Sequence, residues 1–280
     1  MERRLFLLRY DTEWRPIERS PGDPVVVGAY GSIEDMVGFF EKVVEVHRQD
    51  QIPATFFCQG EAIDKRESEF RNFYEEVKDD PLFDLQDHSY SHIGLGYAKG
   101  QPVEVIRADY ERSFAAHQRI FDKQPIGISI CGTPEGPRLS GFDETEKSRA
   151  EFEMVAGLGV RMINSFLTGF DESSEFISYS TLGQPEMMGF PSGYSDTGWM
   201  LRRSHGEPME YILSQIEERA KQGKHMPLMF HDWVAWRYAP DGELTHIRRV
   251  VEKARELGFE LVTHYQCLLD ESLWERTDGP

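Results

Sequence analysis

Short apolar runs alternate with longer helical patterns along nearly the whole chain, and this alternation restricts the fold more than any other feature. Leu5–Tyr10, Ala54–Cys58, Leu82–Leu85, Ile126–Cys131, Arg161–Asn164, Met187–Phe190, Met226–Phe230 and Glu260–Val262 read as strands. Between them, helices are expected from Ile33 to about His47 with Ser32 as N-cap, and over Glu61–Lys78, Pro102–Asp122, Glu144–Leu158, Pro208–Gln222 and Leu244–Leu257. Pro102 and Pro208 open theirs at the first position, and Val105, Ile106, Tyr110 and Phe114 are expected to line one inner face. The stretch from Ser165 to Met188 shows no clear period. Strands alternating with helices argue for parallel βαβ units. Seven or eight of them favour an α/β barrel over an open doubly wound sheet, because no Gly-rich turn follows the first strand. No repeat, linker or low-complexity segment divides the 280 residues, so one domain over 1–280 is expected.

Composition excludes some partners. A formal charge of −18 disfavours nucleic acid and anionic membrane surfaces, which are polyanions. The three cysteines (Cys58, Cys131, Cys267) are odd in number and form no CxxC, as in a reducing compartment. The apolar run near the N-terminus is cut by Arg9, too short for a secretory signal, and no stretch is long enough to span a membrane. The expectation is a cytoplasmic protein acting on a small-molecule or saccharide substrate, without nucleic acid or membrane as partner. Oligomeric state is left open, a homo-oligomer included.

Chemistry-bearing residues follow the strands. Asp11 and Glu13 come after the first, His88 and His92 after the third, and His231 with Asp232 after the seventh. In a parallel barrel these strand ends share one rim, where barrel active sites are built. Two neutral imidazoles four residues apart can fill two positions of a transition-metal shell. Asp11-Thr-Glu13 points both carboxylates to one side of an extended chain. One could bind a metal while the other takes a proton from water, and spacing alone leaves open which does which. Set against this, each group has a plain structural use as a helix cap, a solvated acid or a core histidine.

Five short motifs, in order along the chain, resemble those of the polysaccharide deacetylases with NodB homology, carbohydrate esterase family 4. They are Tyr10-Asp11-Thr12-Glu13, His88-Ser-Tyr-Ser-His92, Gly132-Thr-Pro134-Glu-Gly136, Asp196 with Trp199, and Leu228-Met-Phe-His231; Pro53-Ala-Thr-Phe-Phe57 matches the family's second strand. The resemblance implies a distorted (β/α)7 barrel and a divalent metal, zinc first, with iron, cobalt, nickel and manganese as alternatives. It implies Glu13, His88 and His92 as ligands, Asp11 as base and His231 as acid. Leu228 and Trp233 would wall an acetyl pocket, and Pro134 and Trp199 would contact substrate. The implied reaction is hydrolysis of an amide C–N bond, as in deacetylation of an N-acetylated sugar or small amide. The alternatives are a cyclic ureide or imide amidohydrolase of the same fold, and a non-catalytic barrel that binds a carbohydrate or partner. Two positions depart from the family pattern. Glu13 stands for an aspartate, and Gly132 stands where the third motif has an arginine that orients the base. Arg138 or Arg202 could supply that guanidinium from a loop.

Overall fold

The computed structural model describes residues 3–13, 33–95, 101–131, 146–166, 176–180, 183–192, 195–196, 208–237 and 242–274. Its centre is β1 (Leu5–Thr12), buried along its whole length. Around it lie β2 (Ala54–Cys58), β3 (Phe83–Asp87), β4 (Gly127–Ser129), β5 (Met162–Phe166), β6 (Ile177–Tyr179), β7 (Gln184–Ser192), β8 (Met226–His231) and β9 (Glu260–Leu261). The sheet order is β6-β7-β5-β4-β3-β2-β1-β8, with β9 also on β1. From β7 to β8 every ladder on this path is parallel. These seven strands are the set expected of a (β/α)7 barrel. The ends of the sheet come together where β7 meets β8. Among the described residues the seam carries one isolated parallel bridge, Ser195 to Met229, and no continuous ladder.

Alternation along β1 divides the core. Phe6, Leu8 and Tyr10 point outward to α1 (Ile33–Asp50) and the helices beside it, in a cluster with Phe39, Val43, Phe56 and Phe230. Leu5 and Leu7 point inward with Met188, Phe190, Val262 and Leu268. The same phase puts Arg9, Asp11 and Glu13 on the inner side, further along the strand. The barrel thus has an apolar floor, covered by α9 (His264–Leu269), and a polar mouth at the C-terminal ends of its strands.

The helix expected over 61–78 is two, α2 (Gly60–Lys65) and α3 (Glu67–Val77), broken at Arg66, where the backbone leaves helical geometry. Two elements had no sequence expectation: β6, antiparallel to β7, and α7 (Asp232–Arg237), which starts directly after β8. On α4 (Val103–Phe121) Val105 is 46 % exposed, while Ile106, Tyr110, Ser113 and Phe114 face inward. The inner stripe therefore starts at Ile106. α5 (Glu146–Gly157) and α6 (Pro208–Gln222) match their expected spans closely, and α8 (Thr245–Glu256) and α10 (Glu271–Trp274) complete the helices.

Candidate active site

β1 and β8 lie in register with Asp11 beside His231, and β2 carries the register on to Asp87 of β3. The ends of three strands thus bring Asp11, Glu13, His88 and His231 to one mouth. His92 arrives by a loop rather than by a helical turn. Ser89 and His92 both take left-handed backbone conformations, with φ of 55° and 62°. Such conformations cost a non-glycine residue on the order of 1 kcal/mol each and persist only when neighbours enforce them. Here two acids do so, Asp87 buried and Asp109 partly so. Asp87 accepts from the Ser89 amide at 2.7 Å and from the Ser113 hydroxyl. Asp109 of α4 accepts from the amides of Tyr90 at 2.8 Å and Ser91 at 3.1 Å, and from the Ser91 hydroxyl.

The loop turns the two imidazoles toward Glu13. Glu13 Oε2 lies 3.0 Å from His92 Nε2 and 3.4 Å from His88 Nε2. Ligands of one tetrahedral ion, each about 2.0–2.1 Å from it, lie about 3.4 Å apart. Oε2 of Glu13 and Nε2 of His88 are buried and make no hydrogen bond among the described residues. Buried polar atoms without partners that converge at this spacing suit a metal ion. His92 Nε2, with a side chain 16 % exposed, lies on the open side. Cys131 Sγ also falls within 4.8 Å of a ligand atom of each histidine. Its sulfur contacts the His88 carbonyl oxygen at 3.3 Å and Ser89 Oγ at 3.4 Å, and burial pushes its thiol up, so it stays protonated beside the histidines.

The electrostatics follow from this crowding. Burial alone would raise the Glu13 carboxyl, but the imidazoles of His92, His88 and His231 outweigh it and hold it well below the usual carboxylate range. Burial opposes charge on His88, yet its neighbours lift it well above an ordinary histidine. His231 is pulled down by burial and pushed up more strongly by Asp196, Glu13 and Asp11, to about 9. Burial raises the neighbouring Asp232 to about 8.

The acid–base groups lie on two sides of this cluster. Asp11 Oδ2 is 3.8 Å from His88 Nε2. His231 Nε2 is 3.5 Å from Glu13 Oε1. The other ring nitrogen, Nδ1, lies 2.9 Å from Asp196 Oδ1, and the His231 amide donates to Asp196 Oδ2 at 2.6 Å. Asp196 thus fixes both the ring and the backbone of His231.

Of the remaining expected positions, Pro134 and Trp199 lie outside the described residues, as do Gly132, Arg138 and Arg202. Leu228 is buried in the outer core with Phe6 and Leu8, three residues before His231 and so on the opposite strand face. Met229, which shares the face of His231, is the inward neighbour instead. Trp233 is buried in that outer core, with its ring centre 5.6 Å from that of His231. His47 and His117 are buried away from the pocket, and both have partners. His47 meets Tyr10 Oη and the Ile52 carbonyl, and His117 meets Asp87 and the Cys58 carbonyl. Arg9, which has no motif role, lies with Nη2 3.4 Å from Asp11 Oδ2. The signal was a lone charge inside an apolar strand.

A parallel α/β barrel with a histidine–carboxylate pocket at its C-terminal mouth is the class that fold and site define. The polysaccharide deacetylase family model matches residues 28–134, a stretch that includes His88 and His92 and bears out the resemblance seen in the motifs. No sequence among curated proteins matches this chain. Among solved structures, a putative polysaccharide deacetylase from Mycobacterium smegmatis superposes with a TM-score of 0.62 at 13 % identity, over 88 % of this chain and 80 % of its own. Puue allantoinase gives 0.65 at 15 %, over 98 % and 90 %. A CE4 family pseudoenzyme from Bacillus anthracis gives 0.56 at 12 %, over 96 % and 66 %. At these identities the likeness is one of fold.

Proposed function

We propose that this chain is a metal-dependent hydrolase of amide C–N bonds, removing an acetyl group from an N-acetylated sugar or a related small amide. The observation that carries the reading is the convergence of Glu13 Oε2 with His88 and His92 Nε2 at 3.0–3.4 Å, flanked by Asp11 and His231. Glu13, His88 and His92 would hold a divalent ion, zinc first, with iron, cobalt, nickel and manganese also suited to such ligands. When bound, such an ion polarises a carbonyl and acidifies a water molecule. Asp11 accepts the proton of the attacking water at Oδ1, which makes no hydrogen bond among the described residues. His231, oriented through Nδ1 by Asp196, donates from Nε2 to the departing amine. The family match over residues 28–134 supports this chemistry. No described helix is long and apolar enough to cross a membrane.

Acetate release from a panel of N-acetylated sugars, before and after chelation and with metal restored, tests the reading. Chelation is expected to abolish release and metal to restore it. Turnover indifferent to metal removal would sink it.

Two other readings have support. The shared fold with Puue allantoinase admits ring opening of a cyclic ureide or imide in the same pocket. Turnover of such rings without turnover of acetylated sugars would select it. Gly132 in place of the third-motif arginine, together with the CE4 pseudoenzyme of like fold, admits a non-catalytic binding barrel. Binding of an acetylated sugar by the metal-loaded protein, read by calorimetry, with no acetate released would select that reading.

A further inference from the structure

Arg9 is a cation buried in the middle of β1 (Leu5–Thr12), with 1 % of its side chain exposed. Strand alternation places it one inward position below Asp11 and two below Glu13. Its guanidinium carbon lies 5.5 Å from the ring centre of Phe57, the β2 residue in register with Asp11. The side chain therefore climbs the barrel interior to the level of the next carboxylate. There Nη2 makes a long hydrogen bond, 3.4 Å, to Asp11 Oδ2. Among the described residues no second cation approaches Asp11 from below. His264 faces this layer from α9 and is tied to Thr55 and Asn164, and burial together with Arg9 keeps its imidazole neutral. A buried ion pair is weak support for stability, since an apolar pair of similar volume is often as good. Its position is the more telling property.

We propose that Arg9 is the positioning residue of Asp11, holding Oδ2 so that Oδ1 is turned toward the reacting water. In the resembling family a loop arginine of the third motif orients the base; this chain has Gly132 there and supplies the guanidinium from the first strand. The assignment rests on the proposed hydrolase reading for its chemistry, and on the Arg9–Asp11 pairing for its geometry.

The test combines Arg9→Met, Arg9→Lys, Asp11→Asn and the Arg9→Met/Asp11→Asn double variant, with two readouts. In the metal-free protein, denaturant unfolding should show that the single losses of stability do not add in the double variant. Strictly additive losses overturn the pairing. In the metal-loaded protein, metal content should match the parent in every Arg9 variant. Arg9→Met should lower kcat by about 10²-fold with KM nearly unchanged, as for a misplaced reacting group. Added guanidinium ion should restore part of the loss, and the substitution should cost no further kcat when Asp11 is already asparagine. An unchanged kcat, or a change confined to KM, overturns the proposal. Arg9→Lys covers the case in which Arg9→Met fails to fold. It keeps a buried cation but loses the planar fork, and is expected to fold with kcat still reduced. If the parent protein releases no acetate, the hydrolase reading falls, and the unfolding cycle alone decides whether Arg9 holds Asp11.

Discussion

At the scale of single residues, the longer arm of Glu13 is absorbed by geometry. Its Oε2 reaches both imidazoles, while Asp11, one inward position lower, stays nearer the guanidinium of Arg9. Glu13→Asp retracts the carboxylate by about one methylene and is expected to weaken metal binding about 10–100-fold, a change that calorimetric titration of the metal would register. Asp196→Asn leaves His231 without its charged partner. We expect kcat to fall by about 10²-fold or more with metal content retained, measured on whichever amide the parent cleaves. His47 gives a pH effect away from the pocket. It accepts from Tyr10 and donates to Ile52, and burial lowers its pKa from 6.5 to about 4. Folding therefore favours the neutral ring. Its contribution is complete above the unfolded value of 6.5 and is lost as pH falls toward about 4, at roughly 1.4 kcal/mol per pH unit. Denaturant unfolding at several pH values should show this slope in the parent and less of it in His47→Gln.

Legibility in the sequence followed from how each residue is carried. Asp11, Glu13, His88, His92 and His231 each follow an apolar run, so strand ends and a shared rim were enough to bring them together. Asp196 lies in a loop with no period, 35 positions from the histidine it holds, and its motif match implied no contact. Arg9 falls inside the expected strand Leu5–Tyr10, and nothing in the sequence says which acid its charge meets. Leu228 was placed in the pocket by motif, although three residues of strand put it on the far side of His231. The donor types of the candidate metal site are visible in the sequence, while the left-handed turns at Ser89 and His92 are not, since neither residue type demands them.

At the scale of elements, the histidine loop depends on how closely α2 and α4 approach. Gly60 donates its amide to the Ser89 carbonyl at 2.9 Å, and a Cβ there would lie 2.5 Å from Ser113 Oγ and 2.8 Å from Ser113 Cα. Ser113 in turn donates to Asp87, which holds the Ser89 amide. Gly60→Ala would gain up to about 1 kcal/mol of helix propensity. The clash with backbone outweighs that gain, since overpacking costs about 1–3 kcal/mol. A lower melting temperature and weaker metal binding are both expected, read by thermal unfolding and metal titration. A melting temperature at or above the parent's would show that α4 yields freely. The strands and most helices were readable because their periods are strong. The break at Arg66 and the short α7 were not, because both sit within apolar or charged stretches that continue without punctuation.

At the scale of the whole molecule, the barrel wall is uneven. Six parallel ladders hold β7 round to β8 the long way, and among the described residues one bridge joins Ser195 to Met229 across the remaining gap. The next residue after Ser195 is Asp196, the carboxylate that orients His231. Where the described residues staple the cylinder by one rung, it should part before it parts at a ladder. Amide hydrogen exchange is expected to be faster at Ser195 and Asp196 than in β1 and β2, and slower again when metal draws the mouth together. The proton donor would then be tuned by how tightly the wall is shut, so that binding in the cavity and readiness for acid catalysis rise in step.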